Sequence, residues 1–250
     1  MRKFLMLTMA VAALVAVSVA GIATGANKPV TVEAGNLRVT FNGGFSPKKL
    51  PKKKFAPISL TASGKIETKD GTHPPALKSV VLESDKNGAI NVKGIPVCKS
   101  GKLQSRDTKA AEKACPNSII GKGTTDIEVQ FPESKPIPVE SKLIAFNGGF
   151  SGGTTTLYIH AFITVPTPAA VVTTVKIKKI HNGRYGLKSV ATIPKIAGGS
   201  GSVTAFSLNI NRKGVLTAKC PDGKLQVHGD ALFADGTKAT ATIIRSCTGT

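Results

Sequence analysis

One serine lies in a pattern that could make it a nucleophile. Residues 149–153 read GFSGG, which matches the GxSxG nucleophile elbow, with Ser151 at its centre. That elbow requires a strand, a sharp turn and then a helix. The residues that follow, TTTLYIHAFITV, alternate as a strand does. A glycine-rich hairpin is therefore the favoured interpretation, and a secreted hydrolase using Ser151 is the alternative.

No other pattern in the chain predicts catalysis or metal binding. The four histidines show no metal-ligand spacing, and no CxxC pair exists. Phosphate-binding loops, dinucleotide fingerprints and zincin motifs are also absent from the sequence. We therefore predict a protein that is not an enzyme, with no catalytic residues, no metal and no cofactor.

The N-terminus has the three-part layout of a secretory signal peptide. Arg2 and Lys3 form a basic head, residues 4–19 are an almost uninterrupted apolar run, and small residues follow as far as Ala26. Cleavage after Ala20 or Ala26 fits the small-residue rule. We predict a signal peptide over residues 1–26 and a mature region over residues 27–250. A retained anchor is the rival, because about twenty apolar residues can just span a bilayer.

The four cysteines are expected to form disulfides, because an exported protein meets an oxidising compartment. Four cysteines allow three connectivities. We favour the local pairs Cys98–Cys115 and Cys220–Cys247, each of which would stabilise the fold by about 3 kcal/mol. A zinc site is the rival; against it, no CxxC pair exists and no histidine lies near any cysteine except His228.

Basic residues dominate the surface chemistry. Without Arg2 and Lys3, the 34 basic residues fall to 32 against 14 acidic residues, a net charge of +18. Two clusters are candidate polyanion-binding groups: Lys48, Lys49, Lys52, Lys53 and Lys54, and then Lys176, Lys178, Lys179 and Arg184. The expected partner is an anionic cell-wall polymer or an anionic membrane surface. Scarce aromatic residues disfavour nucleic acid. The alternative is a solvated surface with no specific partner.

Period-2 alternation predicts the elements that position these residues. Apolar and polar residues alternate at residues 37–41, 58–63, 127–131, 157–163, 171–178 and 206–210. Such alternation is typical of strands with one buried and one wet face. It predicts an all-β antiparallel sandwich of the jelly-roll or immunoglobulin-like type. One short helix is expected over residues 107–114, capped by Asp107 and ended by Pro116.

Repeated words suggest a tandem duplication. The word FNGGFS occurs at residues 41–46 and 146–151, and LKSV occurs at 77–80 and 187–190. CKSGKLQ begins at Cys98 and CPDGKLQ begins at Cys220. A duplication would give two lobes over residues 27–135 and 141–250. Chance similarity remains the alternative, because the segments between the words match poorly.

The chain also resembles a group of uncharacterised secreted bacterial proteins. The resemblance rests on the words FSPKKLPKKKFAPISL, THPPAL, GIPVC, ACPNSIIGKG, LIAFNGG and CPDGKL, spread over about residues 45–250. It implies export and a β-rich domain with paired cysteines. No activity is known for that group, so the resemblance implies no site residues.

Together these patterns predict a secreted, disulfide-stabilised, non-enzymatic protein of the cell envelope or extracellular space. We expect its functional site to be a lysine-rich surface that binds anionic polymers. The sequence leaves the oligomeric state open.

Overall fold

A computed structural model describes residues 28–250 and the backbone of residues 21–23. Apart from that short backbone segment, the predicted signal peptide lies outside the described residues. Within the described part of the chain, no helix is long and apolar enough to cross a membrane.

Strands make up most of the described chain, as the alternation predicts. In chain order they are β1 (Gly21–Ala23), β2 (Val30–Ala34), β3 (Leu37–Ser46), β4 (Lys49–Leu50), β5 (Ala56–Thr68), β6 (Leu77–Asp85), β7 (Gly88–Ile90), β8 (Ile119–Val129), β9 (Ile137–Ser151), β10 (Thr154–Ile163), β11 (Ala169–Asn182), β12 (Tyr185–Thr192), β13 (Gly201–Ile210), β14 (Leu216–Ala218), β15 (Lys224–Phe233), β16 (Lys238–Ser246) and β17 (Thr248–Gly249). The α-helix α1 spans Thr108–Ala114, and 3-10 turns occur at Ser100–Lys102, Pro116–Ser118 and Ala197–Gly199.

The long strands join in one antiparallel sheet. Their order is β16-β15-β6-β12-β11-β10-β9-β8-β13-β5-β3-β2, with β1 parallel to β16 and with β14 and β7 continuing from β5. The first and last strands of this order lie against each other, because β16 contacts β2 and β3. The sheet therefore nearly closes on itself. The all-β class is confirmed, whereas the jelly-roll or immunoglobulin-like sandwich is not.

The two halves of the chain interleave within this sheet. Strand β6 lies between β12 and β15, and β13 lies between β8 and β5. Residues 27–135 and 141–250 thus contribute neighbouring strands to one body of described residues. A duplication in the origin of the sequence stays a prediction.

The inner face of the sheet carries the core. Leu37, Val39, Ile127 and Val129 are all buried there, as the alternation predicts, and Phe233 is buried with the first two. Full burial of such side chains contributes about 1.5–3 kcal/mol each. Residues between them point outward, so the register determines which polar side chains share the outer face.

The helix and the first disulfide cover part of the outer face. Asp107 caps α1 by accepting a hydrogen bond from the backbone N–H of Ala110 at 2.8 Å. The disulfide Cys98–Cys115 holds this segment over Phe146, which is fully buried. The predicted helix and both predicted cysteine pairs are confirmed, the second being Cys220–Cys247.

Candidate polyanion-binding surface

The first lysine cluster lies on a loop whose backbone is held firmly. We call residues 47–55 the lysine loop. Strand β4 within it pairs with β17, and Leu50 is fully buried beside the disulfide Cys220–Cys247. The backbone N–H of Lys52 donates to the carbonyl of Thr250 at 3.0 Å. The loop is therefore a fixed platform for its side chains.

Four lysines of this loop are exposed, and the fifth is not. Lys49, Lys52, Lys53 and Lys54 stand out into solvent. The Nζ atom of Lys48 is shielded from solvent, lies 3.9 Å from the centre of the Phe45 ring, and has no hydrogen-bond partner among the described residues. Burial, and then the nearby Arg245 charge, lower the pKa of Lys48 below its ordinary value. Lys48 is thus a cation without a counter-ion in the described chain.

The second cluster divides into free and paired cations. Lys176, Lys178 and Lys179 are exposed on β11 and form no ion pair within the described residues. Arg184 instead contacts two carboxylates: its Nη1 lies 2.5 Å from Asp222 and its Nε lies 2.8 Å from Asp85. The contact with Asp85 is a close charge pair rather than an aligned hydrogen bond.

These ion pairs occupy Arg184. Its hydrogen bond to Asp222 raises the pKa of Arg184, and the same bond lowers the pKa of Asp222. The guanidinium also donates to the carbonyl of Lys224 at 2.8 Å. Of the predicted polyanion-binding residues, Arg184 is therefore the one whose charge is already neutralised.

Strand directions separate the charges of the molecule into two groups. Strands β3, β9, β11 and β16 all finish at the same end of the sheet, and their antiparallel neighbours run in the opposite direction. The lysine loop, the turn after Asn182 and the loop that contains Cys220 lie at this end. We call this the basic end, and the end with the β2–β3 turn and the loop after Thr68 the opposite end.

The opposite end is almost neutral. Nine of the chain's 14 acidic residues lie there, against eight of its basic residues. The acids are Glu33, Glu67, Asp70, Asp126, Glu128, Glu133, Glu140, Asp230 and Asp235, and the bases are Arg38, Lys65, Lys69, Lys78, Lys135, Lys142, Lys195 and Lys238.

The five other acids lie at the basic end or beside α1, and each is already engaged. Glu83 pairs with Lys188 at 3.4 Å, and Glu112 pairs with Lys122 at 2.5 Å. Asp85 and Asp222 hold Arg184, and Asp107 caps α1. Outside the opposite end, the mature region has 24 basic residues and only these five acids. The net positive charge therefore belongs to the basic end and its flank.

Small polar side chains form a shallow cleft beside the lysine loop. On the outer face of β3, β5 and β13 a cleft of about 500 Å³ opens, and its side chains include Asn42, Lys48, Ser59, Thr61, Ser63 and Ser207. A second cleft of about 300 Å³ continues across Asn209, Lys122 and Arg212. The two meet where Thr61 pairs with Asn209. Among the described residues, no carboxylate lines either cleft.

Ser151 lacks the surroundings of a nucleophile elbow. It ends β9 and leads through a two-glycine turn into β10, so a strand follows where the elbow requires a helix. Its side chain is exposed and makes no hydrogen bond to a histidine within the described residues. The structure gives Ser151 no activating base, and the absence of enzymatic activity stays a prediction.

A different serine does approach a histidine and a carboxylate. Ser202 Oγ lies 3.1 Å from His73 Nε2, and His73 Nδ1 lies 3.4 Å from Glu128 Oε2. Because the Ser202 hydroxyl donates to the carbonyl of Pro74 at 2.6 Å, the histidine N–H must donate to the serine oxygen. The serine residue is 1% exposed, while the glutamate side chain is 34% exposed.

This order of exposure is the reverse of what catalysis requires. A nucleophilic serine must face the substrate, and its histidine must accept the hydroxyl proton. Here the serine is innermost and its proton is directed at a backbone carbonyl. The group instead fixes the loop after Thr68 against β8 and β13. Sequence reasoning missed it because the three residues share no local motif.

No group of three or more histidine, cysteine or acidic residues within the described part of the chain could hold a metal ion. No family model matches the chain, and no curated protein matches it in sequence. The resemblance to secreted bacterial proteins accordingly stays a prediction. The two disulfides fit an oxidising compartment outside the cytoplasm.

Proposed function

We propose that this protein is exported and binds an anionic polymer of the cell envelope or extracellular space through its basic end. The observation that carries the proposal is the separation of charge. Every acid near the basic end is already paired or capping, whereas the lysine loop and the β11 lysines have no counter-ion within the described residues.

The geometry of the basic end supports a polymer as partner. Lysines gathered at one end of the molecule sum their fields and raise the local concentration of a polyanion, which brings many charges at once. The fixed backbone of the lysine loop means that binding orders only side chains, which lowers the entropic cost. Exposed ammonium groups each contribute little, so we expect binding that is multivalent and sensitive to salt.

Matched charge neutralisation tests the proposal. In one variant Lys49, Lys52, Lys53 and Lys54 are changed to glutamine. In the control Lys78, Lys135, Lys195 and Lys238, four exposed lysines of the opposite end that also lack ion pairs, are changed to glutamine. Both variants lose the same net charge, so they differ only in where it is lost.

The measurement is the affinity for immobilised polygalacturonate as a function of salt. We expect the first variant to bind on the order of tenfold more weakly at low salt, with a shallower salt dependence. The control should bind nearly as the wild type does. Equal losses in both variants would show a solvated surface without a specific face. Binding to anionic lipid vesicles but to no polymer would replace the polymer with a membrane surface.

A further inference from the structure

A row of small polar side chains crosses the outer face of the sheet next to the lysine loop. We call Asn42, Thr61, Ser63, Ser207 and Asn209 the polar track. The register places Asn42, Ser63 and Ser207 side by side on β3, β5 and β13, and Thr61 beside Asn209 one step along. These residues line the two adjoining clefts described above.

The hydrogen-bonding groups of this track are largely unused. Ser63, Ser207 and Asn209 make no side-chain hydrogen bond within the described residues, and Thr61 makes only a long one, at 3.4 Å, to the carbonyl of Gly44. The β3 position beside Thr61 is Gly44, so no side chain of β3 covers Thr61 there. Hydroxyl and amide groups therefore stand open to a ligand.

Two cations without carboxylate partners border the track. Lys48 lies at its β3 side with its Nζ shielded and unpaired, as described above. Arg212 lies at its β13 side and donates to the carbonyls of Asn117 and Ile119 at 2.6 and 3.0 Å. Lys122 is nearby but is paired with Glu112. The hydrogen-bonding groups of the track thus lie between two positive charges, of which that of Lys48 is shielded from solvent.

The ammonium group of Lys48 lacks an anionic partner within the described residues. Its burial costs free energy unless a negative group pairs with it. Arg245 lies nearby and adds positive charge, while its own donors are taken up by backbone and amide oxygens. An incoming carboxylate or phosphate would meet two positive charges and no competing acid in the cleft.

We propose that the polar track binds one chain of a hydroxyl-bearing anionic polymer, a sugar-acid or polyol-phosphate chain, with an acidic group at Lys48. The proposal rests on the polymer binding proposed above and specifies its ligand. Track hydroxyls and amides exchange hydrogen bonds with the hydroxyls of the ligand, and Lys48 and Arg212 take its charges. Strands lie about 4.8 Å apart, so the track from β3 to β13 spans about 10 Å.

Four soluble polymers of matched length test this specificity. Polygalacturonate and poly(glycerol phosphate) carry hydroxyl groups, with carboxylate and phosphate charges respectively, while polyglutamate and polyphosphate carry the same charges without them. We expect the first pair to bind about tenfold more tightly than the second pair at equal charge. The better of the first pair identifies the acidic group. Equal affinity across all four would overturn the track as a binding site.

Two variants assign that preference to the track. The triple variant Thr61→Val, Ser63→Val and Ser207→Val should bind hydroxyl-bearing polymers at least about tenfold more weakly, the loss expected when three hydrogen bonds at the low end of the ordinary range are removed. The control triple, Ser79→Val, Thr174→Val and Thr192→Val, lies on the outer face of β6, β11 and β12, away from the track. It should keep the wild-type preference. Equal losses in both triples would overturn the assignment.

Lys48→Met and Lys78→Met form a second matched pair, since Lys78 is an exposed, unpaired lysine of the opposite end. The Lys48 variant should lose the stabilisation, measured as a rise in Tm, that a short galacturonate oligomer gives the wild type, and the Lys78 variant should keep it. The outcomes remain separable from those of the lysine-loop test. If the fourfold variant loses polymer retention and the wild type shows no preference for hydroxyl-bearing polymers, the proposed function is supported and this inference is wrong. If the fourfold variant keeps its retention and the wild type prefers hydroxyl-bearing polymers, binding through the lysine loop is wrong and this inference stands.

Discussion

At the level of single residues, burial decides what a titratable group can do. His160 is fully buried beneath the segment that leads into α1, and its Nε2 donates to the carbonyl of Arg106 at 2.9 Å. Its Nδ1 has no partner within the described residues. Burial is the main cause that lowers the pKa of His160 below the ordinary value of 6.5. At neutral pH the folded protein therefore holds this imidazole neutral.

This burial predicts a pH-dependent stability. Below a pH of about 6.5 the imidazole of His160 binds a proton in the unfolded chain but stays neutral in the folded chain. The free energy of unfolding therefore falls as the pH falls. His160→Gln keeps a donor for the Arg106 carbonyl and removes the titration. Urea unfolding at pH 7.5 and 5.5 should show a smaller acid-induced loss in this variant, by up to about 1.4 kcal/mol per pH unit.

The control is His181→Gln, because His181 is exposed on the outer end of β11. It should lose stability on acidification as the wild type does. Parallel pH profiles for all three proteins would contradict the assignment of this effect to His160.

The word FNGGFS shows how far a sequence pattern can predict residue roles. Its first copy puts Asn42 on the outer face, where it accepts a hydrogen bond from Arg245 at 2.9 Å. Its second copy puts Asn147 in full burial, donating to the carbonyls of Ile95 and Pro96. Identical words acquire different roles because their partners come from other parts of the chain.

At the level of elements, local patterns predicted most of what the structure contains. Alternation predicted the strands, and Asp107 with Pro116 predicted α1 because the signals for these elements lie within a few residues. The order of the strands in the sheet could not be predicted from such local patterns. Strand β6 pairs with β15, for example Ser84 with Val227, and nothing local in either strand specifies that partner.

The second disulfide connects distant elements and leads to a prediction. Cys220–Cys247 joins the loop before β15 to the single residue between β16 and β17, and β17 pairs with β4 of the lysine loop. Replacing both cysteines with serine should lower the free energy of unfolding by about 3 kcal/mol. It should also speed amide exchange at Lys52 and Thr250, whose hydrogen bonds depend on this pairing.

The first disulfide supplies the control. Replacing Cys98 and Cys115 with serine should also destabilise the protein, since that bridge closes a 17-residue separation against 27 for the second. Amide exchange in the lysine loop should then stay at the wild-type rate in native conditions. Faster exchange of that loop in both double variants would show that global instability, and not the local tie, is responsible.

At the level of the whole molecule, topology produces the charge separation. Basic residues occur along the whole sequence, and the lysine loop alone suggested a local cluster. Antiparallel strands bring that loop, the β11 lysines and the loop around Cys220 to one end, while most acids fall at the other. The pairing of Arg184 and the shielding of Lys48 were likewise unpredictable, because both depend on contacts distant in sequence.

An arginine side chain bridges the seam of the sheet. No backbone ladder joins β16 to β2 or β3 within the described residues, although their side chains share one core. Arg245, which is 3% exposed, bridges the gap by donating to the carbonyls of Gly43 at 2.6 Å and Lys28 at 2.9 Å. It also donates to Asn42 Oδ1, which in addition accepts from the backbone N–H of Gly43 at 2.9 Å, so one guanidinium bonds three acceptors at the seam.

Removing this guanidinium should open the seam. Arg245→Met fills much of the same volume and relieves the cost of a buried charge, but it leaves the carbonyls of Gly43 and Lys28 without this donor, each costing about 1–3 kcal/mol. The second effect is larger, so we expect the free energy of unfolding to fall by about 3 kcal/mol. Native-state amide exchange should rise in β3 and β16 and stay unchanged in β9 and β10, which lie far from the seam in the strand order.

Arg212→Met is the matched control for the seam. Arg212 also donates to two backbone carbonyls, those of Asn117 and Ile119, but it is only half-buried, so water can replace its donors. Its replacement should cost less than about 1 kcal/mol and leave exchange in β3 and β16 unaltered. If Arg245→Met proved as mild as Arg212→Met, packing of the shared core would suffice to close the sheet, and the polar bridge would be a consequence of closure.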